Sequence, residues 1–567
     1  MSKLKLQIDA ALAALVAPGA PFELVDSPQT GIGSKQYKNS PNTLVDLYAA
    51  AKVYGEKEFV LYQGERWTFE KMLQQADSIG FQLVHRYGVK RGSRVAIAMR
   101  NYPEWIAAFM AITSIGAVAV PLNSWGLAEE LNHGLTDSES LLLFCDQQRY
   151  DLLKGSNTEL SIVAVIVRPE QVTNQANTIT YQDFIAEAEN AEMPVVDILA
   201  DDDALIMYTS GTTGKPKGAL STHRALCQAI FSIECMGTAM AMGNQESFKM
   251  VASKGFAPCT LMSVPLFHVS GCHATFLTAI RSGSRIVMMH KWDVDQAFDY
   301  VEQEKVTSVG GAPPQILDFL SSPRLLTADV SSLSILGVGG ASTPPKLQSL
   351  IDEHLPNHVL GAGWGMTETN SIGVFFGGTV SQSPKGSSGI RHPIVELSIR
   401  DGQGRELPAG EKGALWVRSV VLIKQYWNRP QANAKDFSGR WFNSGDIGHV
   451  DEDGFLYLAD RAKDMIIRGG ENVYPAEIEN CLIDHPDVQE CAVFGLAHER
   501  LGEEVAVVIV SKPGRKIDRA TISAYAEQHL SSFKVPTQIF VSATPLPRNA
   551  TNKIMKNQIR DQYSVQS

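Results

Sequence analysis

Over residues 42–360 the apolar positions of this chain alternate between two patterns. Short unbroken apolar runs read as strands, and segments with an apolar residue every three or four positions read as helices. Strands are predicted at 260–266, 285–289, 306–309, 333–338 and 358–360, and helices at 274–281, 294–304 and 345–354. Such alternation argues for parallel sheets covered by helices. The longest apolar stretch, 105–122, is interrupted by Thr113, Ser114, Gly116 and Pro121. It reads as a buried helix turning into a strand, not as a membrane span. Between 386 and 459 the character changes to short alternating runs at 395–399, 413–418 and 454–458, with Gly and Pro between them. These predict a small β-rich subdomain. Farther on, strands at 465–468, 489–495, 505–510 and 538–541 and helices at 475–483 and 522–530 make an α+β unit with its own core. At the opposite end Leu4, Ile8, Leu12 and Leu15 predict a short amphipathic helix, and Asp9 within that run argues against a signal peptide.

The expected fold class is therefore α/β. A large N-terminal domain, residues 1–459, carries parallel and mixed sheets flanked by helices and includes the β-rich subdomain 386–459. A hinge at 460–464 leads to a small, mobile α+β C-terminal domain, 465–567. The length of 567 residues agrees with two or more domains.

Charge changes the picture in one respect. The net charge of −11 gives no basic field for nucleic acid, so anionic ligands have to be held by local donors. The seven cysteines have no zinc or thioredoxin spacing and fit reduced thiols in a cytoplasmic protein. Cys272 and His273 lie near His268, but no third or fourth metal ligand is close in sequence. No G-x-S-x-G elbow of a serine hydrolase occurs.

Candidate chemistry begins at Thr209, Ser210, Gly211, Thr212, Thr213, Gly214 and Lys215, which continue through Pro216 and Lys217 to Gly218. The apolar run 204–207 leads in, and a helical pattern, 223–236, follows. Strand, Gly-rich loop, helix is an arrangement that cradles phosphate, because glycines let backbone N–H groups approach and lysines neutralise charge. It is not a Walker P-loop, which needs four residues between its first Gly and the Gly-Lys pair. Gly211 and Gly214 are too close for that, and Pro216 breaks the helix entry.

The run resembles the first signature motif of the AMP-forming adenylating enzymes, a superfamily of acyl- and aryl-CoA synthetases, peptide-synthetase adenylation domains and beetle luciferases. Further motifs follow in family order. His268, in Pro-Leu-Phe-His-Val-Ser-Gly, resembles the histidine on the acyl route. Gly340, Ala341 and Ser342 resemble the turn against the adenine and the acyl pocket. Gly363, Trp364, Gly365, Met366, Thr367 and Glu368 resemble the motif whose aromatic ring stacks on adenine. By that resemblance Thr367 contacts the α-phosphate and Glu368 meets Mg²⁺. Asp446 resembles the ribose-binding aspartate, Leu458 and Arg461 the nucleotide contacts that follow, and Lys463 the hinge. Gly469 and Gly470 resemble the pair lining the pantetheine tunnel, and Lys553 the lysine bridging carboxylate and α-phosphate. The family usually has Gly before that lysine; here Asn552 stands there, a residue that tolerates left-handed backbone.

The resemblance implies an acid–thiol ligase using ATP, Mg²⁺ and coenzyme A. It implies a small-molecule carboxylic acid substrate, with no nucleic-acid partner and either a monomer or a homodimer. No transmembrane span is expected; a peripheral membrane contact is left open. A hydrophobic acid, medium- to long-chain fatty acyl ahead of aryl or steroid side-chain acids, is expected, with pocket walls near 231–240 and 310–316. The rival readings are acyl transfer to a carrier-protein thiol, a luciferase-like oxygenase and a catalytically silent binder.

Overall fold

The computed structural model describes residues 3–27, 34–155, 162–170, 177–209, 216–340, 345–382, 384–469, 471–549 and 552–564. Its elements begin with the amphipathic helix Lys3–Val16, whose Ile8, Ala11 and Leu15 are buried against the long helix His223–Gly243.

An eight-stranded sheet runs in the order Gln425–Tyr426, Lys217–Thr222, Asp203–Thr209, Val118–Pro121, Arg94–Ala98, Leu142–Asp146, Val163–Val167, Thr178–Thr180. Its central strands are continuous apolar runs between their ends because both faces are covered. Pro103–Ser114 packs on one face and Ala128–Ser138 with Gln147–Gly155 on the other. The stretch 105–122 is thus a fully buried helix followed by a central strand.

The second sheet is larger. Its parallel part runs Glu58–Tyr62, Arg285–Met288, Cys259–Met262, Ser308–Gly311, Ile335–Val338, Val359–Trp364. Beyond Val359–Trp364 it turns antiparallel through Val374–Gly378, Gly389–Arg391, Phe455–Arg461, Trp441–Val450, Gly413–Ser419 and Val395–Arg400. The β-rich segment is therefore continuous with the parallel sheet through backbone hydrogen bonds. A five-stranded sheet forms the C-terminal unit, built on the hairpin Val488–His498 and Gly502–Ser511. Pro475–Ile483 and Arg519–His529 cover one face of it and Lys556–Ser564 the other.

Three expectations need correction. The strand predicted over 260–266 is Cys259–Met262, because the chain turns at Ser263 toward Pro265, which has no N–H to donate. The helix predicted at 274–281 is a π-turn, Cys272–Leu277, followed by a short α-helix, Thr278–Ser282. The Gly-rich run is not followed directly by a helix. The chain re-enters the sheet as Lys217–Thr222, antiparallel to Asp203–Thr209, before the helix begins at its expected start, His223, capped by Thr222. Lys217–Thr222 also pairs with Gln425–Tyr426, a partner no local pattern reveals.

The helix His223–Gly243 is long and apolar enough to cross a membrane by composition, yet 67% of its apolar window is buried inside the fold. Its excess hydrophobicity serves contacts to three neighbouring parts of the core.

Candidate functional site

The carboxyl ends of the strands in the two large sheets carry most of the predicted residues. Thr209 ends its strand, with Oγ1 3.4 Å from the Lys217 carbonyl oxygen. Ser210, Gly211, Thr212, Thr213, Gly214 and Lys215 lie outside the described residues, as do Ala341, Ser342 and Gly470.

Trp364 ends the strand Val359–Trp364 and is buried. Its Nε1–H donates to Asp446 Oδ2 at 2.8 Å. Gly373 permits the ring to lie against the backbone: a Cβ there would stand 2.5 Å from the indole. Asp446 is paired directly across the sheet with Arg461, whose Nε is 3.1 Å from Oδ1. Burial raises the Asp446 carboxyl, and the Arg461 guanidinium opposes that rise. Two of the roughly four acceptor sites of a carboxylate are thus engaged, leaving capacity for hydroxyl donors.

Gly365 is irreplaceable for a steric reason: a Cβ would sit 2.0 Å from the Ser371 carbonyl oxygen. The tight turn that requires this holds Asn370 and Ser371 at φ of 47° and 79°. It places Met366 at the entry of the one-turn helix Thr367–Thr369, with Thr367 and Glu368 in its first turn. Glu368 is buried, and burial raises its carboxyl. Tyr426 donates its hydroxyl to Glu368 Oε1 at 2.7 Å, and the Lys217 ammonium lies 3.8 Å from the centre of the Tyr426 ring. Among the described residues no other side chain hydrogen-bonds the Glu368 carboxylate. A hard oxygen so placed fits Mg²⁺.

His268 caps the short turn after Pro265, with Nδ1 2.7 Å from Ser270 Oγ. Asn101 fixes this segment by donating to the Val264 carbonyl at 3.0 Å and accepting from the Leu266 N–H at 2.9 Å. Burial, then the charge of Lys553, pushes His268 down to about 3, so it is a neutral imidazole. Cys272 and His273 are buried; His273 Nε2 meets Asn370 Oδ1 at 3.0 Å.

Lys553 arrives from the C-terminal unit. Its Cε lies 3.7 Å from where a Cβ would stand at Gly340, which has φ 82°. Burial, then Arg461, pushes its ammonium down to about 8, while Asp446 and Glu368 act in the other direction. Its backbone is clamped at both ends by Asn549, whose Oδ1 accepts the Lys553 N–H and whose N–H donates to the Lys553 carbonyl, each at 2.9 Å. Asn552 has φ 63°, the left-handed conformation expected of a residue standing in for glycine. Asn552→Gly is expected to keep pyrophosphate release within about twofold. Asn552→Val should cost about 1–2 kcal/mol in the left-handed region and slow adenylate formation. A melting curve and a pyrophosphate assay on the pair of variants check this.

Leu458 is half-buried within Phe455–Arg461, packed against the core beside Trp364. Lys463 is exposed in the turn after that strand, 4.0 Å from Asp464 Oδ2. Gly469 is also exposed, with φ 61°, and donates its N–H to the Leu501 carbonyl at 2.8 Å. In this arrangement Lys553, and not Gly469, accompanies Asp446, Arg461 and Glu368.

Sequence reasoning missed Tyr426 and Asn370. Asn370 accepts from Ser221 Oγ at 2.9 Å and from His273, and donates to the Val421 carbonyl at 2.7 Å. It ties the glutamate turn to the strand after the Gly-rich run. Its position just after the Thr-Glu-Thr run was the available signal. Tyr426, 58 residues beyond Glu368, offered none.

A buried carboxylate pair, an indole, a guanidinium and an inserted lysine at the meeting of two domains define an adenylate-forming acid–thiol ligase, a class that uses ATP, Mg²⁺ and CoA. The chain belongs to the AMP-binding enzyme family, whose model matches residues 47–427, and the AMP-binding enzyme C-terminal domain matches 477–553. It is 33% identical over 502 residues to the long-chain-fatty-acid–CoA ligase FadD13 of Mycobacterium tuberculosis, covering 88% of this chain and 94% of that one. It is 34% identical over 478 residues to the indoleacetate–CoA ligase of Aromatoleum aromaticum, covering 83% and 89%. The o-succinylbenzoate CoA synthetase of Bacillus subtilis, solved with its acyl-adenylate, superposes with a TM-score of 0.74 at 27% identity, covering 91% and 98%.

Proposed function

We propose that this ligase activates a hydrophobic carboxylic acid, a medium- to long-chain fatty acid ahead of an aryl acid, and passes it to CoA. The observation that carries this reading is a row of glycines in register across four strands. Gly310 pairs with Gly337, Gly337 with Gly361, and Gly361 with Gly377. The residues just before three of them, Val309, Leu336 and Leu360, fill the core on one face. On the other face the glycines put no side chain. A Cβ at Gly310 or Gly337 would meet only backbone, at 3.5–4.0 Å. A bare trough on a sheet accommodates a thin apolar body. The Phe375 ring, near the Cβ positions of Gly361 and Gly377, and Met240 of the long helix flank it. The strand holding Gly337 runs out at the turn where Gly340 meets Lys553.

In this reading the acid's carboxylate oxygen attacks the α-phosphorus of ATP. A P–O bond forms, the bond to pyrophosphate breaks, and an acyl-adenylate results. Lys553 sits to neutralise charge on the carboxylate and α-phosphate, and Trp364, Asp446 and Arg461 to hold the nucleoside. Mg²⁺, when bound at Glu368, supplies positive charge to the phosphates. The CoA thiol then loses its proton and attacks the acyl carbon, and AMP leaves. Lys463 is the proposed hinge that exchanges Lys553 for the Gly469–Gly470 face between the steps.

The test is pyrophosphate and AMP release with Mg·ATP over straight-chain and aryl acids, with and without CoA. CoA-dependent turnover that peaks at one chain length supports the fatty-acid reading. A peak on aryl acids replaces it with the second substrate class. A single burst that CoA does not relieve points to a carrier-protein thiol as acceptor.

A further inference from the structure

The strand Phe455–Arg461 belongs to the sheet of the large domain. Asp460 is paired there with Ile447, and Arg461 with Asp446. Bonding to that domain continues as far as Ala462, whose N–H donates to the Gly445 carbonyl at 2.9 Å. Lys463 is the next residue. Behind it the chain turns, with the Asp464 and Met465 N–H groups both on the Arg461 carbonyl, at 3.0 and 3.1 Å. Asp460 therefore stands on the fixed side of the proposed hinge, and the chain from Met465 onward on the moving side.

One oxygen of Asp460 crosses that divide. Oδ1 accepts the Arg461 N–H at 2.7 Å, while Oδ2 accepts the Ala476 N–H at 2.8 Å. Ala476 is the second residue of Pro475–Ile483, a helix that Tyr474 precedes without any side-chain cap of its own. The first N–H groups of a helix need an acceptor, and a carboxylate there also meets the positive end of the helix dipole. The cap thus comes from the other side of the hinge. Tyr474 itself faces Lys412 of the β-rich segment, with the ammonium 5.2 Å from the ring centre. The capped helix is tied in turn to the segment that carries Lys553. Glu479 Oε1 is 2.6 Å from the Nζ of Lys556, and it also accepts the Val493 N–H at 2.7 Å. Burial works against the Lys556 ammonium, yet the carboxylates of Glu479 and Asp460 raise it above the ordinary lysine value. Contacts therefore run from Asp460 through the helix and the Glu479–Lys556 pair to Lys553 beside Gly340.

We propose that Asp460 is a positioning residue for adenylate formation: by capping Pro475–Ile483 across the hinge it holds the small domain with Lys553 in the site, and its bond to Ala476 opens for thioester formation. This rests on the ligase reading and on a turn about Lys463. A turn there carries Ala476 away from Asp460, whose backbone stays in the sheet of the large domain. The bond therefore contributes to one arrangement and not to the other. Its loss shifts the balance toward the arrangement in which the face around Gly469 replaces Lys553, because a ligand-independent contact made in only one of two states biases the equilibrium by its own free energy.

The experiment compares the full-length enzyme with Asp460→Ala, Asp460→Asn and Ala476→Pro. Asparagine keeps an acceptor oxygen and caps helices about as well as aspartate. Proline at position 476 removes the donor and leaves Asp460 in place; Pro313 and Pro314 open the helix Pro313–Ser321 in the same way. Three rates are read: pyrophosphate release with Mg·ATP and a carboxylic acid, single-turnover thioester formation from a supplied acyl-adenylate, and tryptic cleavage after Lys463, which follows how often the hinge segment opens. Asp460→Ala and Ala476→Pro are expected to slow pyrophosphate release about fivefold or more, to leave thioester formation at or above the wild-type rate, and to speed the cleavage by a similar factor. Asp460→Asn should stay near wild type in all three. Equal loss in both half-reactions, or wild-type rates throughout in Asp460→Ala, overturns the proposal and leaves Asp460 a cap without a part in the reaction. If Asp460→Ala does not fold, Ala476→Pro carries the same test. If no acid supports pyrophosphate release in the wild type, the ligase reading fails, while the cleavage rates still decide whether Asp460 holds the hinge.

Discussion

Lys553→Ala is expected to lower adenylate formation by about 10²–10³-fold, the cost of removing one preorganised donor from a developing charge. Thioester formation from a supplied acyl-adenylate should be nearly unaffected. The expectation follows from where the side chain lies. It is buried beside Gly340, and its charge is felt by His268, Asp446 and Glu368. Its ammonium is pushed down to about 8. The charged form dominates below that pH and is lost above it, so kcat/KM for ATP in the wild type should fall as pH rises through about 8. Lys553→Arg, whose charge persists, should lack that fall even if it is slow. Pyrophosphate release and single-turnover thioester assays separate the two steps. Equal loss of both would sink the division of labour between Lys553 and the opposite face of the small domain.

Gly337→Val should raise KM for the acid about 30- to 100-fold, or restrict the enzyme to much shorter acids, while ATP binding and melting temperature hold. Valine is at home in a strand, and a Cβ at Gly337 has 3.5 Å to the nearest atom, the Gly310 Cα. The fold therefore accepts it. The added methyls fill the trough, and forcing a ligand past filled space costs roughly 2–3 kcal/mol. Gly361→Ala, whose Cβ meets the Phe375 ring at 3.5 Å, is a milder version of the same block. Unchanged acid kinetics in Gly337→Val would remove the trough as the acyl site.

The parallel strands and the helices between them were legible because their periodicity follows from burial, which is written residue by residue. The candidate residues were legible wherever they came as contiguous runs, as from Gly363 to Glu368. The turn around Trp364 and Glu368 also explains why the run is contiguous, since Gly365 must clear the Ser371 carbonyl and Gly373 the indole. Asn552 is a case where the reading from residue type held in detail, because a single backbone angle, φ 63°, was at stake. Lys217–Thr222 was the opposite case. Its residues suit a helix entry or a strand, and the free edge offered by Asp203–Thr209 together with Gln425–Tyr426 decided for a strand. The π-turn at Cys272–Leu277 has no simple pattern either, and it arises beside the buried pair His273 and Asn370.

By itself, the sequence determined which segments are buried, where the chain turns and which side chains carry charge to a phosphate-binding chemistry. Those properties depend on near neighbours along the chain. The tertiary structure alone decided that Tyr426 holds Glu368, that Trp364 and Arg461 share Asp446, and that Lys553 reaches Gly340. It also decided that four glycines spread over 68 positions, from Gly310 to Gly377, form one row. Each of these depends on strand register and domain placement. Register is set by backbone hydrogen bonds that every residue but proline can make, so no side chain announces it.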